Sequence, residues 1–380
     1  RFRDEQVWGP FPHWVHTHDF LAGSPVESRM RDHVDYEAPL GMNGGILGDL
    51  IHERLDRLFC FRHARLQNDF KRLAALPLPP HKILISGASG FVGTPLSDFL
   101  GNAGHEVWAL VRRPARPEKR EIAWDYAKGI IDEKALEGFD AVIHLAGESI
   151  ASGRWNLQRK FAIRHSRLDG TRFLAKALAG LAKPPKAFLA ASAIGFYGNR
   201  DGEELTEESD QGYGFLPEIC ADWESAADPL RALGVRVAHL RTGIALNGGG
   251  GALGAMLRPF ELGLGGQVGS GRQWMSWIAL EDLIGAYYFL LCREDLSGVF
   301  NATAPHPATN RDFTQTLGKV LDRSTVLPLP AFAVKALLGE MGESLLLEGQ
   351  KVMPRRLEQA GFEFFYPQLE PALRFETGNF

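Results

Sequence analysis

An α/β fold built on a doubly wound parallel sheet is the architecture this sequence predicts, and three observations predict it. Short apolar runs alternate with amphipathic stretches from Lys82 to Arg241, the pattern of a sheet covered by helices on both faces. The first of these runs ends in a glycine-rich turn at 87–93. A different texture on each side, antiparallel in character before residue 77 and Gly-rich after residue 247, marks flanking units.

Residues 1–76 come first. Strand-like runs at Glu5–Trp8, Trp14–Leu21 and Glu27–Tyr36 are separated by Gly-Pro and Gly-Ser-Pro turns and predict an antiparallel meander. Arg1 to Trp8 reads as mid-strand material, so the chain is expected to begin inside a domain. A helix follows, because Ile46, Leu47, Leu50, Ile51, Leu55, Leu58 and Phe59 recur at three- and four-residue spacing, out to about Leu73. Residues 77–81 form a Pro-rich linker.

The central unit, 82–247, carries predicted strands at Lys82–Ser86, Glu106–Arg112, Ala141–Ala146, Ala187–Ser192 and Val235–Arg241. Helices are predicted between them at Phe91–Ala103, Gln158–Ala182 and Pro217–Leu233. Residues 248–380 are expected to form a substrate-side lobe and a small C-terminal domain, with helices at Leu280–Cys292, Arg311–Leu321 and Phe332–Leu338.

Most chemistry is carried by Lys82-Ile-Leu-Ile-Ser-Gly-Ala-Ser-Gly-Phe-Val-Gly93. Gly87 allows the tight turn, Gly90 lets backbone approach a pyrophosphate, and Gly93 lets helix pack on strand, with Ser89, Phe91 and Val92 between them. Strand before and helix after make this a Rossmann-type dinucleotide site. The second strand ends in Arg112 and Arg113, where NAD-selective sites place an acid on the ribose. Arginine there suits a 2′-phosphate, so NADP(H) is the expected cofactor; simple solvated charges at a strand end are the alternative.

Composition excludes other classes. Forty-two Lys plus Arg face 46 Asp plus Glu, a net charge of -4 without a long basic run, which argues against nucleic acid. No apolar stretch reaches the ~20 residues of a membrane-spanning helix. Three cysteines without a C-x-x-C pair fit a reducing cytoplasm, with neither a disulfide framework nor a zinc knuckle.

From His81 to about Arg374 the sequence resembles the extended short-chain dehydrogenase/reductase superfamily, specifically its atypical NAD-dependent epimerase/dehydratase-like proteins with a small C-terminal domain of unknown function. Beyond the glycine turn, the resemblance rests on Asp140-Ala-Val-Ile-His-Leu-Ala-Gly-Glu148, Ser192-Ala-Ile-Gly-Phe-Tyr-Gly198, Arg241-Thr-Gly-Ile-Ala-Leu246 and Gly269-Ser-Gly-Arg-Gln-Trp-Met-Ser-Trp277. It implies that Leu145 and Ala146, with Gly147 after them, line the adenosine-ribose side of the cofactor. It also implies that Arg167 faces the phosphates or nicotinamide. Core strand residues and an exposed helix charge are the plainer readings.

The superfamily's usual catalysis needs a Tyr acid/base and a Lys four residues later. Here those positions fall near Leu216 and Cys220, and Pro217 stands four residues after Tyr213. Relatives usually carry Ile-His where this chain has Ile278-Ala279. Ser192, where the superfamily's polarising Ser or Thr stands, and Tyr197 are the catalytic candidates; a strand-end Ser satisfying backbone and a structural Tyr-Gly turn are the alternatives.

Residues 1–76 resemble the C-terminal half of a polyketide-cyclase/START-like helix-grip domain, whose remaining strands would precede Arg1. The resemblance implies an apolar ligand at this unit. His16 and His18 project from one strand face, but sequence spacing supplies no third ligand, so no metal is expected.

The expected function is an NADP(H)-dependent oxidoreductase or epimerase-like enzyme acting on a small substrate. Two alternatives stand beside it: a non-catalytic NADP(H)-binding regulatory or interaction protein, and an apolar-ligand-binding START-like module fused to a reductase.

Overall fold

The computed structural model describes residues 1–24, 27–39 and 45–380. Pro25 of the expected Gly-Ser-Pro turn, and the side chains of Ile46 and Leu47, lie outside what is described. The chain divides into two compact units, residues 1–65 and 66–379.

In the first unit β1 (Phe2–Glu5), β2 (His13–Ser24) and β3 (Glu27–Glu37) pair antiparallel in the order β1-β2-β3. The register sets Asp4 opposite His16 and Phe2 opposite His18 across one ladder. Across the other, His16 faces Val34 and His18 faces Asp32. Because side chains alternate along a strand, His16 and His18 share one face. The helix α1 (Gly45–Ala75) lays the Phe59 ring edge-on against His16, centroids 5.5 Å apart. Strand boundaries differ from the sequence expectation chiefly in β1, which ends at Glu5 instead of beginning there.

The second unit is built on an eight-stranded sheet. Its strands are β4 (Lys82–Ser86), β5 (Glu106–Val111), β6 (Glu121–Asp125), β7 (Ile130–Ile131), β8 (Ala141–His144), β9 (Ala187–Ala193), β10 (Arg236–Thr242) and β11 (Gly298–Ala302). Their spatial order is β11-β10-β9-β8-β4-β5-β6-β7, all neighbouring pairs parallel except β6 with β7. The order reverses between β4 and β8, the switch point at which doubly wound sheets bind ligands.

Alternation along each strand builds two cores. Ile83, Ile85, Ile143, Leu189 and Leu240 face the helices α2 (Gly93–Asn102) and α7 (Leu280–Cys292). Leu84, Val142, Phe188 and Val237 face α3 (Leu157–Ala179) and the short α5 (Asp228–Arg231). Leu84, Ile85 and Leu189 are fully buried, so cutting any of them to Ala costs about 2–5 kcal/mol.

Three differences from the sequence expectation have physical causes. The helix expected over Pro217–Leu233 is two pieces, α4 (Phe215–Ser225) and α5, because Pro229 in the first turn of α5 cannot continue a preceding helix. The strands β6 and β7 go beyond that expectation: in β6 Ile122 and Trp124 stand between the charged Glu121 and Asp125, and β7 is only the pair Ile130–Ile131, too short to show a period. The lobe expected from residue 248 is interrupted, because α7 and β11 return to the sheet. Leu280–Leu291 is buried on every side of its helix, as the near-continuous apolar run requires.

α7 also receives a cation. Arg72, in the last turn of α1, reaches Asp282 at 3.3 Å, both side chains almost wholly buried. Its guanidinium lies on Gly285, where an added Cβ would meet Cζ at 2.1 Å, and packs over the Phe365 ring at 4.1 Å. Asp282 also accepts from the Phe365 and Tyr366 amides at 2.8 and 2.9 Å. Burial pushes this carboxyl above its usual range, and Arg72 pulls against it.

Candidate functional site

At the switch point the chain leaves β4 through Gly87, whose φ of +73° lies in the region glycine favours. A Cβ there would crowd Ala146 N and Leu145 C at 3.0 Å, so the ends of β4 and β8 meet backbone to backbone. Gly93 is constrained harder still: its Cβ would stand 2.0 Å from the Gly87 carbonyl oxygen. The turn closes with Gly90 N donating to Gly87 O at 2.9 Å, and the N-terminus of α2 opens onto it.

A cavity of about 800 Å³ lies over this turn. Gly87, Ser89, Gly90, Leu145, Ala146 and Gly147 line one side, and Arg112 and Arg113 the other. The remaining sequence candidates sit around it. Phe91 lays its ring against the Gly-rich turn at Gly250 and Gly251, Val92 packs into the core beneath, and Gly93 is buried in the helix start.

The two arginines differ. Arg113 grips Glu121 through two bonds of 2.6 Å, and Arg116 binds the same carboxylate. These contacts hold Glu121 far below the usual carboxylate range. Arg112 is exposed, with Glu148 at 3.7 Å. Lys119 and Arg120 join the wall, two cations the sequence reading passed over. Their signal was present in Arg112-Arg-Pro-Ala-Arg-Pro-Glu-Lys-Arg120, a basic segment that folds back toward the strand end it leaves.

Arg167 does not line this cavity. Its guanidinium is sequestered, donating to Glu148 O and Ile163 O at 3.0 and 3.2 Å and lying over the Trp223 ring at 5.0 Å. It props the Gly147–Glu148 turn from behind.

A second cavity, about 640 Å³, opens beyond β9 and is lined by Gly195, Tyr213 and Leu216 together with Glu340, Glu343 and Glu348 from the C-terminal region. α4 packs closely here: a Cβ at Gly195 would meet Leu216 Cβ at 3.3 Å and Cys220 Sγ at 3.7 Å. Leu216 and Cys220 thus do stand beside the end of β9, and burial pushes the Cys220 thiol up to about 12. Neither offers a proton at neutral pH.

Ser192 and Tyr197 are brought into one buried network. Ser192 Oγ donates to Glu224 Oε1 at 2.7 Å, and Arg241 clasps Glu224 at 2.7 and 2.8 Å. Tyr197 donates to Asn301 Oδ1 at 2.7 Å and accepts from Arg241 Nη1 at 3.0 Å. Tyr197 is fully buried, and burial pushes its phenol up against the pull of Arg241. Its hydroxyl is spent within the network, whereas Ser192 keeps lone pairs after giving its one proton. Asn301 reaches the network because β11 joins the sheet beside β10.

A parallel sheet with a glycine turn at its switch point defines a dinucleotide-binding α/β protein. The chain belongs to the NAD dependent epimerase/dehydratase family, whose model matches residues 83–302, and a domain of unknown function matches residues 329–376. An epimerase family protein of Mycobacterium bovis is 42% identical over 298 residues, spanning 78% of this chain and 97% of its own length. The human epimerase family protein SDR39U1, solved with NADPH, is 37% identical with a TM-score of 0.72, covering 79% of this chain and 100% of that one. A nucleoside-diphosphate sugar epimerase from Corynebacterium glutamicum is 35% identical with a TM-score of 0.77, over 96% of this chain and 71% of that one.

No helix among the described residues is long and apolar enough to cross a membrane.

Proposed function

We propose that this chain binds NADP(H) in the 800 Å³ cavity and acts as an oxidoreductase or epimerase-like enzyme on a small substrate in the 640 Å³ one. The basic wall carries the cofactor reading: Arg112, Lys119 and Arg120 stand where an acid would select the unphosphorylated ribose. The likeness to a human relative solved with NADPH supports it. The Gly87–Gly93 turn and the start of α2 would hold the pyrophosphate, and Leu145 and Ala146 the adenosine side. The cofactor supplies hydride chemistry. Ser192, buried and outside the lining of both cavities, would meet the substrate with its lone pairs only once its surroundings open, and Tyr197 is a positioning residue that fixes Arg241 behind Glu224.

The charge of the second cavity narrows the substrate. Asp210, Glu340, Glu343 and Glu348 line it; Glu340 and Glu343 are paired with Lys160 and Lys335 at 2.5 Å, and Arg200, the one basic lining residue among those described, is bound to Glu203 at 2.8 Å. Asp210 and Glu348 leave this wall mildly acidic, so a neutral or cationic substrate fits it better than a diphosphate. Calorimetric titration with NADPH and NADH, with Gly90→Asp as control, tests the cofactor assignment. Turnover of neutral carbonyl compounds, lost in Ser192→Ala, tests the rest; no NADPH binding sinks both.

A second reading has its own observation. Leu216 and Cys220 fill the positions of the usual acid/base pair with apolar mass, which favours a non-catalytic NADP(H)-binding role. Tight NADPH binding with no turnover on any substrate, and no loss in Ser192→Ala, would select it.

A further inference from the structure

We propose that Asp4, His16 and His18 form a binding site for a divalent transition-metal ion of the zinc class, with Asp32 orienting the imidazoles from behind. Three strands bring the residues together, two of them by direct cross-strand pairing: Asp4 opposite His16, and His18 opposite Asp32. Each of the three ligands offers an atom within 4.8 Å of the others'. His18 Nε2 lies 3.2 Å from Asp4 Oδ2. That separation matches one edge of a tetrahedron whose bonds are ~2.0 Å long, about 3.3 Å, the usual geometry for zinc on nitrogen and oxygen. Asp4 sits on the edge strand with its side chain 64% exposed, so its carboxylate has room to turn toward an ion.

The surroundings match those of a ligand set. His18 is 4% exposed, and its Nδ1 stands 2.6 Å from Asp32 Oδ1 without an aligned hydrogen bond. Asp32 Oδ1 also lies 3.1 Å from His16 Nε2, and Arg62 approaches it at 3.7 Å. A carboxylate that braces two imidazoles, and is itself braced by a cation, is the arrangement that fixes ring orientation around a metal. Phe2 stacks on His18 at 4.0 Å and Phe59 packs edge-on against His16 at 5.5 Å, so each imidazole is held by an aromatic ring. Three protein ligands leave a fourth position open, as in zinc sites that bind a water or a small ligand. Two neutral imidazoles and one carboxylate suit zinc, copper or nickel better than calcium or magnesium, which prefer all-oxygen shells.

The test uses the full chain, treated with chelator, dialysed and titrated with Zn²⁺ by calorimetry at neutral pH. Co²⁺ serves as an absorbing substitute. The expected result is one Zn²⁺ per chain and a visible Co²⁺ absorption band, both lost in Asp4→Ala and in His16→Ala. Asp32→Asn should weaken binding by about 10- to 100-fold, and His13→Gln, on the same strand outside the cluster, should leave it unchanged. Asp4 is exposed, so its variant should fold, and circular dichroism checks that it does. Absence of Zn²⁺ binding, or binding that survives in folded Asp4→Ala and His16→Ala proteins, overturns the proposal. So does a response to His13→Gln equal to theirs.

Discussion

Arg241 and Glu224 meet through two hydrogen bonds, Nε to Oε1 at 2.7 Å and Nη2 to Oε2 at 2.8 Å, at the carboxyl end of the sheet. Both side chains are nearly out of solvent. Removing one partner strands the other charge, so Glu224→Leu or Arg241→Met alone should cost about 3–5 kcal/mol in urea denaturation. The double variant should recover part of that loss, because no charge is then stranded and only the Ser192 hydroxyl loses its acceptor. Equal losses in single and double variants would refute a paired role.

The glycine turn predicts two distinct failures. Gly93→Ala drives a methyl into the Gly87 carbonyl and should lower the melting temperature markedly even without ligand. At Gly90 the nearest obstacle to a Cβ is that same carbonyl, at 3.1 Å. Gly90→Asp should therefore leave the fold largely intact and abolish NADPH binding by placing a negative charge against the pyrophosphate.

Arg112 and Arg113 should separate in a cofactor titration. Arg112→Ala removes an exposed cation and should weaken NADPH by about 1–2 kcal/mol while sparing NADH. Arg113→Ala also leaves Glu121 held by Arg116 alone, so more of its negative charge faces the site and the loss of NADPH affinity should be larger. Replacing Glu121 with Gln in the Arg113→Ala background should return part of it.

Stability should carry a mark from Glu376. This residue of the Leu369–Thr377 helix accepts from Asn247 Nδ2 at 2.9 Å, and burial pushes its carboxyl up to about 7, with Asp282 adding to the shift. The folded state therefore binds a proton more tightly than the unfolded chain. Its contribution is full below about pH 4.5 and is lost as pH rises toward 7, a fall of roughly 3 kcal/mol. His144 and His239, which burial pushes down to about 3, act oppositely by costing stability as pH falls below 6.5. The clean measurement is the difference between the protein and Glu376→Gln across pH 4.5–7.5; a difference that does not vary with pH would exclude this titration.

The sheet was legible because a buried parallel strand writes itself as a continuous apolar run, and because glycines at 87, 90 and 93 have few other uses between strand and helix. Arg112 and Arg113 were visible as a pair, yet their unlike fates depend on Glu121, which reaches them only once β6 pairs beside β5. Tyr197 and Ser192 looked equivalent in sequence. Their difference arises from Asn301, 104 residues from Tyr197, and no local spacing reports that contact. The cluster in the first unit was half legible: alternation placed His16 with His18, but Asp4 joins them through strand register alone.

The Pro-rich stretch at residues 77–80 is where composition invites a cut, and a chain begun at residue 81 would keep every residue of the epimerase match. It would also excise the counter-ion of Asp282. Without Arg72 that carboxylate faces a dry interior with two backbone amides and no cation, at a cost of about 3–5 kcal/mol. A chain begun at residue 66 should melt with the parent, and one begun at residue 81 well below it unless the medium is acid enough to protonate Asp282. The seam in composition is therefore not a seam in electrostatics: the dinucleotide-binding unit of this protein already includes the last turns of α1, from Leu66 onward.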